Sequence, residues 1–95
     1  MTDGPAFEWD DAKARANLAK YGLRMEAGTA VFDDPHHLVG EDRFAEGEHR
    51  FIAIGWVGGT VLTVVFSEPA EDLTRLISVR RATGAERKAY EDQTR

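Results

Sequence analysis

Arginine is the residue type through which this chain could do most of its chemistry. Arg75, Arg80 and Arg81 lie close together, with Arg87 and Lys88 soon after. A guanidinium is permanently charged, and its planar fork of donors matches two oxygens of a phosphate or a carboxylate. From Leu73 to the end, six basic residues stand against three acidic ones, a net of +3. The remainder of a chain whose net charge is −5 therefore carries −8. Such asymmetry suits a basic working face on an acidic molecule; the plainer alternative is that the arginines solvate a strand edge and a terminal helix. Glu48-His49-Arg50 places two proton-exchanging groups beside a cation, the raw material of general acid–base chemistry. Its plainer alternative is a polar start to a strand. His36-His37 with Asp33-Asp34 invites a metal reading. Adjacent strand residues point to opposite faces, however, and no second cluster stands at zinc spacing. No metal or other cofactor is expected.

These groups need a scaffold. Asp11 to Lys20 is rich in good helix formers. Asp10 or Asp11 can cap that helix, and Gly22 suits the left-handed residue that ends it. Ala12, Ala16 and Ala19 share one face, on which small side chains allow close packing. Trp9, Lys13, Asn17 and Tyr21 recur at four-residue intervals as a second stripe. A shorter helix is expected from Met25 to Phe32, stopped by Asp33-Asp34-Pro35 and weakened at Gly28 by about 1 kcal/mol. Arg50–Trp56 and Val61–Phe66 read as strands joined at Gly58-Gly59. Both are apolar on both faces and so should be covered on more than one side. Leu73–Val79 reads as a third strand, reached through a polar turn at Glu68-Pro69, and His36–Gly40 as a short edge strand. Gly84 opens a last helix with Glu86 in its first turn, where a negative charge is favoured. The order predicts an α+β fold: an antiparallel sheet of about four strands with two N-terminal helices and one C-terminal helix.

The bounds are consistent with this. Ninety-five residues suggest one domain, 1–95, with a modest core. A composition 42% hydrophobic and 31% charged argues against disorder. There are no cysteines, which excludes disulfides and thiolate metal sites. No apolar run approaches the roughly 20 residues of a membrane helix. The opening Met1-Thr2-Asp3-Gly4-Pro5 lacks the features of a secretory signal. A cytoplasmic protein with no membrane association is expected.

Along most of its length the chain resembles the BrnT family of toxins. The resemblance is carried by Phe7-Glu8-Trp9-Asp10, Lys13, Asn17, Lys20-Tyr21-Gly22, Ala30-Val31-Phe32-Asp33-Asp34-Pro35 and Gly47-Glu48-His49-Arg50. It continues in Arg75-Leu76-Ile77-Ser78-Val79-Arg80-Arg81-Ala82 and Glu86-Arg87-Lys88-Ala89-Tyr90-Glu91. Each piece is short, but their order and spacing together are specific. The family usually has Lys-His-Gly at Lys20-Tyr21-Gly22 and Gly-Glu-Glu-Arg at Gly47-Glu48-His49-Arg50. The resemblance implies a RelE-like fold and an endoribonuclease toxin of a type II toxin–antitoxin pair. It further implies a cognate BrnA-like antitoxin in a hetero-oligomeric complex, with DNA engaged only indirectly through that complex. The alternative is a catalytically decayed module that only binds its antitoxin and supports promoter autorepression.

RNA cleavage through the 2′-hydroxyl needs a base, cations for the phosphorane and an acid for the leaving oxygen. Arg50, Arg75 and Arg80 are the candidate charge stabilisers, and Glu48 or His49 the candidate base. Lys13, Arg81, Arg87 and Tyr90 are candidate RNA contacts, although Tyr90 could equally pack against the sheet. Strand alternation imposes a limit. In an unbroken Leu73–Arg81 strand, Arg75 and Arg81 share one face and Arg80 takes the other.

Overall fold

A computed structural model describes residues 6–42, 47 and 49–94. Five strands and three helices run in the order β1 (Ala6–Glu8), α1 (Asp11–Tyr21), α2 (Met25–Val31), β2 (Leu38–Glu41), β3 (Phe51–Val57), β4 (Thr60–Ala70), β5 (Leu73–Arg81) and α3 (Gly84–Gln93). The strands form one sheet, ordered β1-β5-β4-β3-β2. The sheet has five strands, not four. Phe7-Glu8-Trp9, expected only to precede a helix, contributes β1, which pairs parallel with the start of β5. A three-residue strand has too little periodicity to be seen locally, and its partner lies far along the chain.

The antiparallel meander β2-β3-β4-β5 follows the sequence reading closely. Gly58 and Gly59, with φ of +56° and +93°, make the tight turn that links β3 to β4. The next turn lies later than Glu68-Pro69. β4 continues to Ala70, and Glu68 and Pro69 fall inside an irregularity between the pairs Ser67↔Arg75 and Ala70↔Leu73. There a proline needs no ladder donor. Asp72 (φ +61°) turns the chain into β5.

α2 covers one face of the sheet. Met25, Gly28 and Val31 are buried on it, above a core that includes Val64, Phe66, Leu76 and Val79. Gly28 is the point of closest approach: a Cβ there would stand 2.6 Å from Val79 Cγ2. The helix accepts a poor helix former to gain that proximity. α1 is capped as the sequence predicts. Asp10 accepts from the Lys13 N–H, and Gly22 (φ +69°) closes the C-terminus. Its alanine face does not pack, however. Ala12, Ala16 and Ala19 are exposed, and the helix is docked through Ala14 and the buried Asn17.

Candidate functional site

The site begins with Asn17. β1 ends opposite Arg75, so beyond that point the outer edge of β5 has lost its partner strand. Asn17 replaces it. Its Nδ2 donates to the Val79 carbonyl at 2.9 Å, and its Oδ1 accepts from the Val79 N–H at 2.9 Å. Nδ2 also donates to the Leu23 carbonyl at 3.0 Å. These bonds hold α1 along the edge of β5. The side chains one turn before and after Asn17 then overhang the face of the sheet that α2 leaves open.

The second determinant is a bulge. Val64 pairs with Val79 and Phe66 with Leu76, but Val65 pairs with Ser78, so Ile77 is an extra residue in β5. The parity of the strand changes there. Leu76 and Val79 both face α2, as their contacts around Gly28 require. Arg75, Ser78 and Arg80 consequently project towards the open face, and Arg81 lies on the other parity. Simple alternation separates Arg75 from Arg80; the bulge brings them to the same side.

Between α1 and this face lies a cleft of about 320 Å³, lined by Lys13, Asn17, Lys20, Tyr21, Arg50 and Ser78, with Ala16 and Ile77. Three lining residues are cations and none is a carboxylate. Lys20 Nζ lies 5.1 Å from the centre of the Tyr21 ring, a cation–π distance. The Arg50 Nε is buried without a hydrogen-bond partner among the described residues. Such an array can hold an anion and stabilise charge that grows on it, with the Tyr21 and Ser78 hydroxyls as neutral donors.

Of the residues anticipated from sequence, Arg50 and Lys13 meet in this cleft. Arg75 lies beside it. Its Nε donates to Glu8 Oε2 at 2.6 Å, and it lines an adjoining hollow with Glu8, Trp9, Asp10 and Lys13. Arg80 is committed to structure. Its two terminal nitrogens fork onto Glu86 at 2.7 and 3.0 Å, and Thr63 Oγ1 and the Thr83 N–H also donate to that carboxylate. The Arg80 bond, opposed by burial and joined by these donors, pulls the Glu86 carboxyl down to about 2. The bond to Glu86 likewise raises Arg80 above its usual value.

Tyr90 is buried and not presented to a ligand. Its hydroxyl donates to Asp34 Oδ2 at 2.5 Å. That bond, with burial, pushes its pKa up to about 12. Burial would raise the Asp34 carboxyl, but the Tyr90 hydroxyl and the N–H groups of Trp56 and His36 outweigh it and lower the pKa. His49 stacks on Phe51 with centroids 4.6 Å apart and lies 3.4 Å from Glu41. Phe51 packs on core Phe66, so His49 projects to the side opposite Arg50. Arg81 and Arg87 are exposed, away from the cleft. Glu48 lies outside the described residues. His36 and His37 precede β2 in a turn, where His37 Nδ1 meets the Asp34 carbonyl at 2.8 Å.

Lys20, Tyr21 and Ser78 were not among the anticipated site residues. The signal for the first two was present: Lys13, Asn17, Lys20 and Tyr21 follow at helical spacing. Ser78 enters only through the bulge.

Fold and cleft together define a small α+β protein with a cationic cleft between α1 and the sheet face opposite α2. Residues 9–86 match the family described as the ribonuclease toxin, BrnT, of type II toxin-antitoxin systems, and the chain belongs to that family. It is similar in structure to the ribonuclease toxin BrnT of Brucella abortus, known from a 1.1 Å crystal structure. The two share 26% identity with a TM-score of 0.61, over 81% of this chain and 95% of that one. No curated protein matches the sequence. The family match spans every residue that lines the cleft.

Proposed function

We propose that this chain is a metal-independent endoribonuclease with a RelE-like fold, and that its substrate phosphate sits in the cleft between α1 and β5. The observation that carries this reading is a lining of Lys13, Lys20 and Arg50 unbalanced by any carboxylate among the described residues. The cations hold a phosphodiester and stabilise the phosphorane formed when the 2′-oxygen attacks phosphorus. The P–O5′ bond then breaks; the proton released by the 2′-hydroxyl passes to solvent water, and the leaving oxygen takes one back from solvent water, leaving a 2′,3′-cyclic phosphate and a 5′-hydroxyl. Arg75 and Arg80 act on the same face at one remove, Arg75 beside the cleft and Arg80 by anchoring α3 through Glu86. Cleavage arrests growth in the cytoplasm, and a cognate BrnA-like antitoxin neutralises it by laying an acidic segment over the cationic cleft. That complex carries the DNA-binding function.

The test uses purified, antitoxin-free protein in the presence of EDTA. RNA should be cut, and Lys20→Ala and Arg50→Ala should each slow cutting by about 100-fold, the scale of losing one oxyanion donor. Cutting that survives both substitutions would place the chemistry elsewhere.

A second reading, a toxin-like module that binds its antitoxin without cleaving RNA, draws on one observation. Among the described residues no carboxylate or imidazole lines the cleft to serve as a base, since His49 projects to the opposite side. Expression of folded protein with normal growth and intact RNA would favour it.

A further inference from the structure

Cleavage through the 2′-hydroxyl moves protons as well as charge. Lysine and arginine meet the charge but hold their protons at neutral pH. Two residues along the cleft carry a hydroxyl, Tyr21 and Ser78, and they are not equivalent. Ser78 sits on the sheet, paired with Val65, and an aliphatic hydroxyl is a feeble acid. Tyr21 is the last residue of α1, and tyrosine is among the side chains that serve as general acids. The fold fixes where it stands. Asn17, one turn earlier, ties α1 to both backbone groups of Val79 at 2.9 Å, and Gly22 ends the helix directly after Tyr21. Two cations then place the ring. Lys20 Nζ lies 5.1 Å from its centre. The charge on Arg80 is supported first by Glu86 and also, electrostatically, by Tyr21, and Arg80 projects to the open face of the sheet. The half-buried Tyr21 makes no hydrogen bond through its hydroxyl to any described residue. Tyr90, the other tyrosine of the chain, spends its hydroxyl on Asp34.

We propose that Tyr21 is the general acid of this cleft, its hydroxyl giving a proton to the leaving 5′-oxygen as the P–O5′ bond breaks. The proposal rests on the reading of the cleft as the site of RNA cleavage. The 2′-oxygen forms its bond to phosphorus, and its proton passes to water. The electron pair of the P–O5′ bond goes to the 5′-oxygen, which takes the proton of Tyr21. Lys20 and Arg80 meet the negative charge this leaves on the phenol oxygen. Tyr21 then regains a proton from water, so it is the last carrier of the solvent proton that the leaving oxygen receives. A phenol also suits a cleft without carboxylates. It is neutral until it acts, so it does not pair with the cations that the phosphate needs.

The experiment gives the full chain two oligonucleotides of one sequence, each with a single ribose among 2′-fluoro sugars, at a linkage that the unaltered protein cuts. In one the bridging 5′-atom of that linkage is oxygen; in the other it is sulfur. A thiolate leaves without a proton, because thiols are much stronger acids than alcohols. Tyr21→Phe should slow cutting of the oxygen substrate by about 100-fold, within the range of general acid catalysis, and should slow the sulfur substrate far less. The hydroxyl has no partner among the described residues, so its removal leaves no buried group unpaired. Binding of an all-2′-fluoro strand, which cannot be cut, should therefore stay as it was. Equal loss on both substrates, or no loss on the oxygen substrate, would overturn the proposal. Lys20→Ala with Arg50→Ala separates the two readings. If those changes slow both substrates while Tyr21→Phe does not distinguish them, only the general acid fails. If they slow neither, the cleft itself has been misread, and an unaltered protein that cuts no RNA overturns both readings.

Discussion

Glu86 shows how one side chain can be mistaken for another's role. From sequence, Arg80 is a catalytic candidate and Glu86 an ordinary first-turn acid. In the fold they form one unit. Glu86 closes a capping box with Thr83 at the start of α3, accepts from Thr63 on β4 and takes both arms of Arg80. Its carboxyl is held near 2, against the usual 4.5. The native state therefore favours the ionised form. The stability this contributes is complete above about pH 5 and is lost as pH falls towards 2. Thermal melts from pH 6 to pH 2.5 should show Tm falling with acid, and Glu86→Gln should flatten that fall. An unchanged acid limb would mean that the Arg80–Glu86 unit is not coupled to folding. The pairing was not legible in the sequence, because the partners stand six positions apart and only the turn from β5 into α3 brings them face to face.

At the scale of elements, the helices and the four-stranded meander were readable, since each carries its own periodicity, caps or turn glycines. Asp10 and Gly22 bound α1, and Gly58-Gly59 turns the hairpin. Gly28 is where local and tertiary terms oppose each other. Alanine there would gain about 1 kcal/mol of helix propensity. Its Cβ would meet Val79 Cγ2 at 2.6 Å, with Leu76 Cδ1 at 3.2 Å and Val64 Cγ2 at 3.3 Å close behind. All three belong to the buried core and cannot yield cheaply. Overpacking of this kind costs about 1–3 kcal/mol, so Gly28→Ala should lower Tm by several degrees in calorimetry. A rise in Tm would show that α2 can lift from the sheet freely.

For the whole molecule, charge placement matters more than charge total. The net of −5 argues against a nucleic-acid binder, yet the fold gathers Lys13, Lys20 and Arg50 into one cleft without a carboxylate. None of the described helices is long and apolar enough to cross a membrane. If the three cations each neutralise one phosphate, log K for a short RNA should fall against log salt with a slope of about −2. Lys20→Ala should reduce that slope by about 0.7. A slope near zero in fluorescence anisotropy titrations would remove the electrostatic basis of the cleft.

The sequence by itself determined the α+β class, three helices, the meander strands and the family, because these rest on local propensity and on motif order. It also marked arginine and lysine as the candidate anion-binding groups, since those side chains keep their charge in any fold. Only the tertiary structure decided which of them lie together. β1 had to find β5, Asn17 had to cap the edge that β1 leaves open, and one extra residue at Ile77 had to turn Arg75 and Arg80 to the same face. Each depends on a pairing between distant parts of the chain, and a single-residue change of register reverses where every following side chain points.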